Sequence, residues 1–174
     1  MLATEGLSAR KQDVVEENIM VGVVDAIYLA AKGGEPMLKV DEGWAVADGG
    51  LEGDRYMTRT GYWTNIDECQ VTLIEGEILD KIVSDSGVKV GDGEHRRNIV
   101  TRGIQLQTVV GRQFSVGGAV MVYDRPRPPC GYIQTITERG MTKALAGMRG
   151  GICARVLESG VIKPTDCVSL LEDV

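Results

Sequence analysis

Residues 113–123, with the sequence Gln-Phe-Ser-Val-Gly-Gly-Ala-Val-Met-Val-Tyr, predict a β-hairpin. Two short runs rich in apolar and β-branched residues flank Gly117-Gly118, and a glycine pair at this position is typical of a tight hairpin turn. Similar short runs, each followed by a glycine or proline, recur along the chain at intervals of about 8–12 residues. This spacing favours a mainly β protein whose strands form a barrel-like sheet.

The other expected elements follow from the same kind of pattern. Runs of β-branched residues predict six further strands, at 19–29, 37–40, 44–47, 70–74, 152–157 and 167–171. Apolar spacing predicts three helices, at 75–84 with a stop at Gly87, from Gly131 to about residue 139, and at 141–148, with a short helical turn at 104–110. Because strands and helices do not alternate regularly, the predicted class is mainly β with a few helices (α+β), not a doubly wound sheet.

The length of 174 residues is that of one domain with a substantial core. Residues 1–18 are polar and predict an N-terminal arm, so the single domain is expected to cover 19–174. The arm lacks the apolar segment of a secretory leader, and no apolar run approaches the ~18 residues of a membrane span. We therefore expect a cytoplasmic protein that does not bind membranes.

The net charge of −6 hides an uneven distribution. Residues 94–155 contain ten basic and three acidic side chains, whereas the rest of the chain contains nine basic and 22 acidic ones. Such a basic span either spreads over a solvated surface or forms a local site for a small anion such as a phosphate. The acidic remainder, together with only eight aromatic residues, argues against nucleic acid as a partner.

The segment from Arg125 to Tyr132, Arg-Pro-Arg-Pro-Pro-Cys-Gly-Tyr, contains three of the five prolines. Proline fixes its own φ and restricts the preceding residue, so the segment predicts a stiff, extended approach to Cys130. If a helix starts directly after it, the helix end and the two arginines favour the thiolate form of Cys130. The alternative from these residues alone is a cysteine buried in the core.

The other three cysteines give weaker signals. No Cys-x-x-Cys motif occurs, and His95 is the only histidine, so a four-ligand zinc site is not expected. Cys153 and Cys167 lie in apolar closing strands and are expected to fill the core. Cys69, at a strand edge, has no predicted role.

Two polar stretches present further candidates. Gly49, Gly50 and Gly53 predict a tight loop that projects Asp54 and Arg55, with Asp54 either free to bind a ligand or capping amides of its own loop.

The second polar stretch runs from Glu94 to Gly103. Arg97 and Asn98 would alternate in an extended segment at 95–100, and burying either in a core without a partner is costly, so one is expected to face a polar pocket. Arg102 is a weaker member of this group. His95 is either a structural histidine or a general acid.

Four motifs occur together in one order along the chain. They are Gly50-Leu-Glu-Gly-Asp-Arg55, Arg96-Arg-Asn-Ile99, Pro129-Cys130 and Gly150-Gly-Ile-Cys-Ala-Arg-Val-Leu157. In this order they resemble the MOSC domains, named after the C-terminal part of molybdenum cofactor sulfurase, over residues 20–171. The resemblance implies a strongly bent, barrel-like β-fold and one functional cysteine, which corresponds to Cys130.

The resemblance also implies two alternative activities. MOSC proteins are associated with binding of the molybdenum–pterin cofactor, with a cysteine thiolate on the metal and reduction of N-hydroxylated compounds in one branch, or with carriage of sulfur as a cysteine persulfide. Cys130 is then the catalytic residue and the metal ligand. The candidate cofactor contacts are Arg97, Asn98, Arg102, Asp54 and Arg55. A third alternative is a non-catalytic ligand-binding module that kept the fold.

Each activity implies a partner. The 174 residues contain neither a desulfurase-like portion nor a ferredoxin-like cysteine cluster. Sulfur is therefore expected to come from a cysteine desulfurase, and electrons for a reductase from an external electron-transfer protein.

Overall fold

The fold is taken from a computed structural model that describes residues 21–172. The predicted N-terminal arm and the first two residues of the predicted strand at 19–29 lie outside the described residues. Between 21 and 172, no helix has the length and apolar character needed to cross a membrane.

Seven strands form a closed barrel, as the sequence predicts. Their order around the barrel is β11-β7-β8-β9-β5-β6-β1, and β1 pairs again with β11. The strands are β1 (Val21–Leu29), β5 (Val71–Glu75), β6 (Ile99–Arg102), β7 (Gln113–Val116), β8 (Ala119–Pro126), β9 (Ile152–Glu158) and β11 (Cys167–Leu170). The hairpin predicted at 113–123 is formed by β7 and β8. Closure leaves none of these seven strands with a free edge, except where they run past their partners.

A small second sheet packs beside the barrel and contains two strands that the sequence did not predict. Its order is β10 (Gly160–Ile162), β3 (Gly43–Val46) and β4 (Gly50–Leu51), while β2 (Leu38–Val40) extends the barrel sheet beyond β1. Both unpredicted strands, β4 and β10, have only two or three residues and begin with glycine. Their pairing depends on distant backbone segments, which local composition does not report.

The helix α1 (Gly76–Ser86) connects β5 to β6, the one parallel pair of the barrel. A parallel pair needs a crossover connection, and α1 provides it. The helix ends at Gly87 in the left-handed conformation, with φ 69°, as predicted.

The next two helices, α2 (Gly131–Ile136) and α3 (Met141–Ala144), are shorter than predicted. Thr137 leaves the helical region before residue 139, and a 3-10 turn at Gly147–Gly150 replaces the end of the predicted third helix.

Two apolar clusters hold these elements together. The barrel interior contains Phe114, Leu73 and Ile99, all without exposed surface. A second cluster on the outside of β5 includes Ile74 and packs against the three helices through Leu79, Ile133 and Leu145. Strand β5 is buried on both faces for this reason. Full burial of one such side chain stabilises the fold by about 1.5–3 kcal/mol, so Ile133 anchors α2, and with it Cys130, against the barrel.

Candidate functional site

A cavity of about 370 Å³ opens on the barrel where several loops meet. Its wall combines the segment after Asp54, the turn at residues 96–97 and the approach to α2. Cys130 lies on this wall together with six arginines, which are Arg55, Arg59, Arg96, Arg97, Arg127 and Arg155. The volume falls within the range of about 300–1,000 Å³ typical of small-molecule sites.

Cys130 is the residue immediately before α2 and is half-buried. Its backbone is extended, with φ −111° and ψ 167°, as expected for a residue that follows two prolines and starts a helix. Its carbonyl oxygen accepts hydrogen bonds from the Ile133 amide at 3.2 Å and from the Thr142 hydroxyl at 3.1 Å. The two short helices thus fix the backbone that carries the thiol.

The two arginines that precede Cys130 are both bound to Asp67. One carboxylate oxygen accepts from Arg125, and the other accepts from Nη1 of Arg127 at 2.7 Å. Among residues 21–172 neither guanidinium donates a hydrogen bond to Cys130. The positive charge expected beside the thiol is therefore present on the cavity wall but partly neutralised by Asp67.

Arg97 is almost fully buried and donates only to backbone carbonyls. Its Nε atom binds Gly150 at 2.6 Å, Nη1 binds His95 at 3.2 Å, and Nη2 binds Arg127 at 3.2 Å. Burial lowers the pKa of Arg97 to about 10, which still leaves the side chain cationic at neutral pH. One side chain thus joins its own motif to the motif that begins at Gly150 and to the proline-rich segment that leads to Cys130.

Arg96 adopts the left-handed conformation, with φ 62°. This turn interrupts the extended segment expected at 95–100, and the strand begins only at Ile99. As a result Arg96 and Arg97 both line the cavity, whereas strict alternation would have put them on opposite faces. Burial and then the charge of Arg55 lower the pKa of Arg96 to about 10. The importance of Arg96 was not predicted.

His95 closes this turn from inside the protein. Its Nδ1 atom accepts a 2.9 Å hydrogen bond from the Arg97 amide, and its ring meets Tyr28 edge-on, with centroids 5.2 Å apart. Burial, and then the charges of Arg97, Arg96 and Arg55, lower the pKa of His95 to about 3. A neutral, fully buried imidazole behind the cavity supports the structural alternative over the general acid.

Asp54 and Arg55 have different positions. Asp54 has no exposed surface and accepts hydrogen bonds from the amides of Ala30 and Tyr56, each at 3.1 Å, as well as from Arg55 at 3.1 Å. It caps its own loop, which was one of the two expected roles. Arg55 lines the cavity and donates from Nη2 to the carbonyl of Arg96 at 3.0 Å.

Asn98 and Arg102 do not lie in the cavity with Arg97. Asn98 has no exposed surface. Its side-chain oxygen accepts hydrogen bonds from the amide and the hydroxyl of Thr72, at 3.1 and 3.0 Å, and its side-chain nitrogen donates to the carbonyl of Tyr28 at 3.1 Å. Arg102 lies on the outside of the barrel, where it donates to Asp25 at 3.0 Å and to Asp80 at 2.7 Å. The expected grouping is corrected on this point, because internal partners already satisfy Asn98 and surface carboxylates hold Arg102.

A family model for the MOSC domain matches residues 54–169. The chain belongs to the MOSC domain family. MOSC domains are associated with the molybdenum cofactor. The matched region contains every candidate site residue named above. No curated protein sequence matches the chain significantly.

Solved structures share the MOSC fold at low sequence identity. The YuaD protein from Bacillus subtilis superposes with a TM-score of 0.71 at 16% identity, covering 88% of this chain and 97% of that one. YiiM from Geobacillus stearothermophilus gives 0.61 at 18% identity, covering 88% and 74%. YiiM from Escherichia coli gives 0.59 at 18% identity, covering 90% and 70%.

Half of the aromatic residues of this MOSC domain line the cavity. They are Tyr56, Tyr62, Trp63 and Tyr132. The rings of Tyr62 and Tyr132 are stacked, 3.9 Å apart and 12° from parallel. The closeness of Tyr56, Tyr62 and Trp63 in the sequence was the one signal of this grouping, because Tyr132 lies far from them along the chain.

The remaining cysteines differ from the expectation in two places. Cys153 is buried as predicted, but Cys167 is exposed, because its side chain points away from the barrel interior. Cys69 is buried on the cavity wall, and its Sγ atom lies 2.8 Å from that of Cys153. Within residues 21–172 no cluster of three or more His, Cys, Asp or Glu side chains forms a metal site.

Proposed function

We propose that the cavity binds a molybdenum–pterin cofactor and that the Cys130 thiolate ligates the metal. The observation that carries this proposal is the placement of Cys130 and six arginines around a single cavity of cofactor size. A soft thiolate suits a transition metal, and buried guanidinium groups suit an anion. Since the described residues form no multi-residue metal site, the cofactor itself would supply the other metal ligands.

The donor set fits the phosphate end of such a cofactor. Arg96 donates from Nη1 to the Glu35 carbonyl, and this is its one side-chain hydrogen bond among residues 21–172. Its Nε and Nη2 atoms are therefore available to a ligand in the cavity. Arg97, by contrast, donates one hydrogen bond from each nitrogen to a backbone carbonyl. It therefore contributes positive charge to the cavity and holds the surrounding backbone in place. We assign the phosphate contact to Arg96, with Arg55 beside it.

The aromatic wall fits the planar end of the cofactor. The stacked rings of Tyr62 and Tyr132 provide a flat surface, and the indole of Trp63 meets Tyr62 edge-on at 4.9 Å. Planar rings favour such offset-stacked and edge-on contacts. When bound, the cofactor would supply a two-electron metal centre, suited to reducing N-hydroxylated compounds with electrons from an external electron-transfer protein.

The test is elemental and pterin analysis of protein purified from a host that makes the cofactor. We expect molybdenum and pterin close to one per chain in the wild type, and loss of molybdenum in Cys130→Ser. Cys167→Ser is the matched control, because Cys167 is exposed outside the cavity; it should keep both. Wild-type protein that is free of both metal and pterin would contradict the proposal.

The sulfur carrier remains a second candidate because Cys130 also borders an outer groove. This groove, of about 470 Å³, is lined by the segment 125–130 with Trp63 and Ile66, and Ile66 is 77% exposed. A partner could reach the thiol from this side. The Cys130 thiolate would attack the terminal sulfur of a desulfurase persulfide, forming a Cys130 persulfide and releasing the desulfurase thiolate.

Mass spectrometry separates the second candidate from the first. After incubation with a cysteine desulfurase and cysteine, the Cys130 peptide should gain the mass of one sulfur atom, and Cys130→Ser should not. Sulfur spread evenly over all four cysteines would reject a carrier role. A protein that takes up neither cofactor nor sulfur would be left as the non-catalytic binding module.

A further inference from the structure

We infer that Cys69 and Cys153 form a thiol–disulfide exchange site that reacts with small disulfides entering the cavity. Cys69 precedes β5 and Cys153 lies on β9, two strands that pair with Thr72 opposite Cys153. The two cysteines are 84 positions apart, so the sequence does not reveal this proximity. The reaction does not use the Cys130 thiol, and because Cys69 borders the cavity in which we place the cofactor, the exchange is proposed for the cofactor-free protein.

The two sulfur atoms are already close to bonding distance. Their separation is 2.8 Å, against roughly 2.05 Å for a disulfide bond. Both side chains belong to the barrel wall, and Cys153 is fixed in the closed sheet. Cys69 lies just outside β5, and the two sulfur atoms must approach by roughly 0.75 Å to form the bond.

The two thiols differ in access. Cys69 lines the cavity, whereas Cys153 has no exposed surface. A small disulfide in the cavity therefore meets Cys69 first, and Cys153 lies directly behind it. This arrangement, with one accessible thiol and one resolving thiol, is what an exchange reaction requires.

The surroundings favour a thiolate in the pair. The Cys69 thiol donates a hydrogen bond to Cys153, and this bond is the largest cause of a lowered pKa at Cys153. The guanidinium charges of Arg127, Arg125 and Arg97 act in the same direction and oppose the effect of burial. The same hydrogen bond, followed by burial, raises the pKa of Cys69, so the pair carries its negative charge on Cys153, which takes up the Cys69 proton when Cys69 attacks.

The reaction balances as two exchange steps. The Cys69 thiolate attacks one sulfur of a disulfide RSSR, forming a mixed disulfide and releasing RS⁻, which takes up a proton. Cys153 then loses its proton to the second leaving group and attacks the Cys69 sulfur, forming the Cys69–Cys153 bond. In total two protein thiols are oxidised, and one small disulfide is reduced to two thiols.

The experiment equilibrates the intact protein with buffers of increasing oxidised-to-reduced glutathione ratio, alkylates free thiols and maps the peptides by mass spectrometry. We expect a Cys69–Cys153 linked peptide, lighter by two hydrogens, that reopens with dithiothreitol. Cys153→Ser should instead trap glutathione on Cys69. Cys167→Ser is the matched control and should form the same link as the wild type.

Two outcomes would overturn the inference. One is alkylation of both Cys69 and Cys153 at every glutathione ratio, with modification confined to the exposed Cys167. The other is a linked peptide that joins Cys69 to Cys130, which would make the cavity thiols a different pair. Both readouts use the folded wild-type chain prepared without cofactor, so they are separate from the tests of the proposed function.

Discussion

The Nε atom of Arg97 donates a 2.6 Å hydrogen bond to the carbonyl oxygen of Gly150, across 53 residues of sequence. The same guanidinium reaches the carbonyl of Arg127, and the Arg127 amide donates to the carbonyl of Gly151 at 2.9 Å. These contacts fix the extended segment that ends at Cys130. Arg97 thus positions Cys130 through the backbone, without binding its thiol directly.

Replacing Arg97 with lysine should lower the free energy of unfolding by about 2–4 kcal/mol, because an ammonium group does not reach three divergent carbonyls and leaves some of them buried and unpaired. Urea unfolding followed by circular dichroism measures this change. Arg155→Lys, at an exposed position on the same cavity wall, is the control and should change stability by less than ~0.5 kcal/mol. If the two substitutions changed the free energy of unfolding equally, the planar guanidinium of Arg97 would not be needed to hold the three carbonyls.

Gly150 and Gly131 flank the same region but tolerate a side chain differently. A Cβ atom at Gly150 would collide with the carbonyl oxygen of Arg127, which is backbone and does not move aside. Gly131→Ala meets no atom within 4 Å and starts α2. We expect Gly150→Ala to cost about 1–3 kcal/mol and to change the rate at which Cys130 is alkylated, and Gly131→Ala to leave both nearly unchanged. A neutral Gly150→Ala would contradict the close approach.

Six of the seven barrel strands were predicted because each has at least four residues of β-forming character between turn residues, whereas β6 was expected only as part of an extended segment at 95–100. Strand β10 was not predictable from local composition. The missing Cβ of Gly160 lets the backbone of Gly118 approach closely, and the Gly118 amide donates to the carbonyl of Val161 in this strand. The second and third helices were predicted too long because the residues after each helix still favour a helix locally, although the packing of the fold ends it earlier. Thr137 has no local feature that ends a helix.

The site was predictable where a motif places a residue in one loop, and not where distant loops meet. Cys130, Arg97 and Arg55 lie together on the cavity wall. Arg102 was misplaced because Asp25 and Asp80, which are distant in sequence, hold it on the outside of the barrel. The Cys69–Cys153 contact depends on the register of two strands, which no local pattern encodes.

Arg102 offers a direct check on this separation. Its guanidinium lowers the pKa of Asp80 through their hydrogen bond, but the pair is largely exposed and lies outside the cavity. Arg102→Gln should therefore change stability by no more than about 1 kcal/mol and leave the retention of molybdenum and pterin as in the wild type. Arg96→Gln is the paired comparison and should lower cofactor retention. If Arg102→Gln lost the cofactor and Arg96→Gln kept it, Arg102 would be a cofactor-binding residue after all and the assignment to Arg96 would be wrong.

The pH dependence of stability should carry the signature of His95. Its pKa falls from 6.5 to about 3 on folding, so below pH 6.5 the unfolded chain binds a proton that the folded chain does not. Burial of His95 therefore does not reduce the free energy of unfolding above pH 6.5. Below it, the free energy of unfolding decreases by up to about 1.4 kcal/mol per pH unit as the pH falls toward 3. Urea unfolding between about pH 6.5 and 5, above the carboxylate range, isolates this slope, and His95→Gln should reduce it.

Because His95 is the only histidine, its imidazole proton resonances identify themselves in one-dimensional NMR. A ring that titrates near pH 6.5 in the folded protein would contradict a neutral, buried support for the arginine turn.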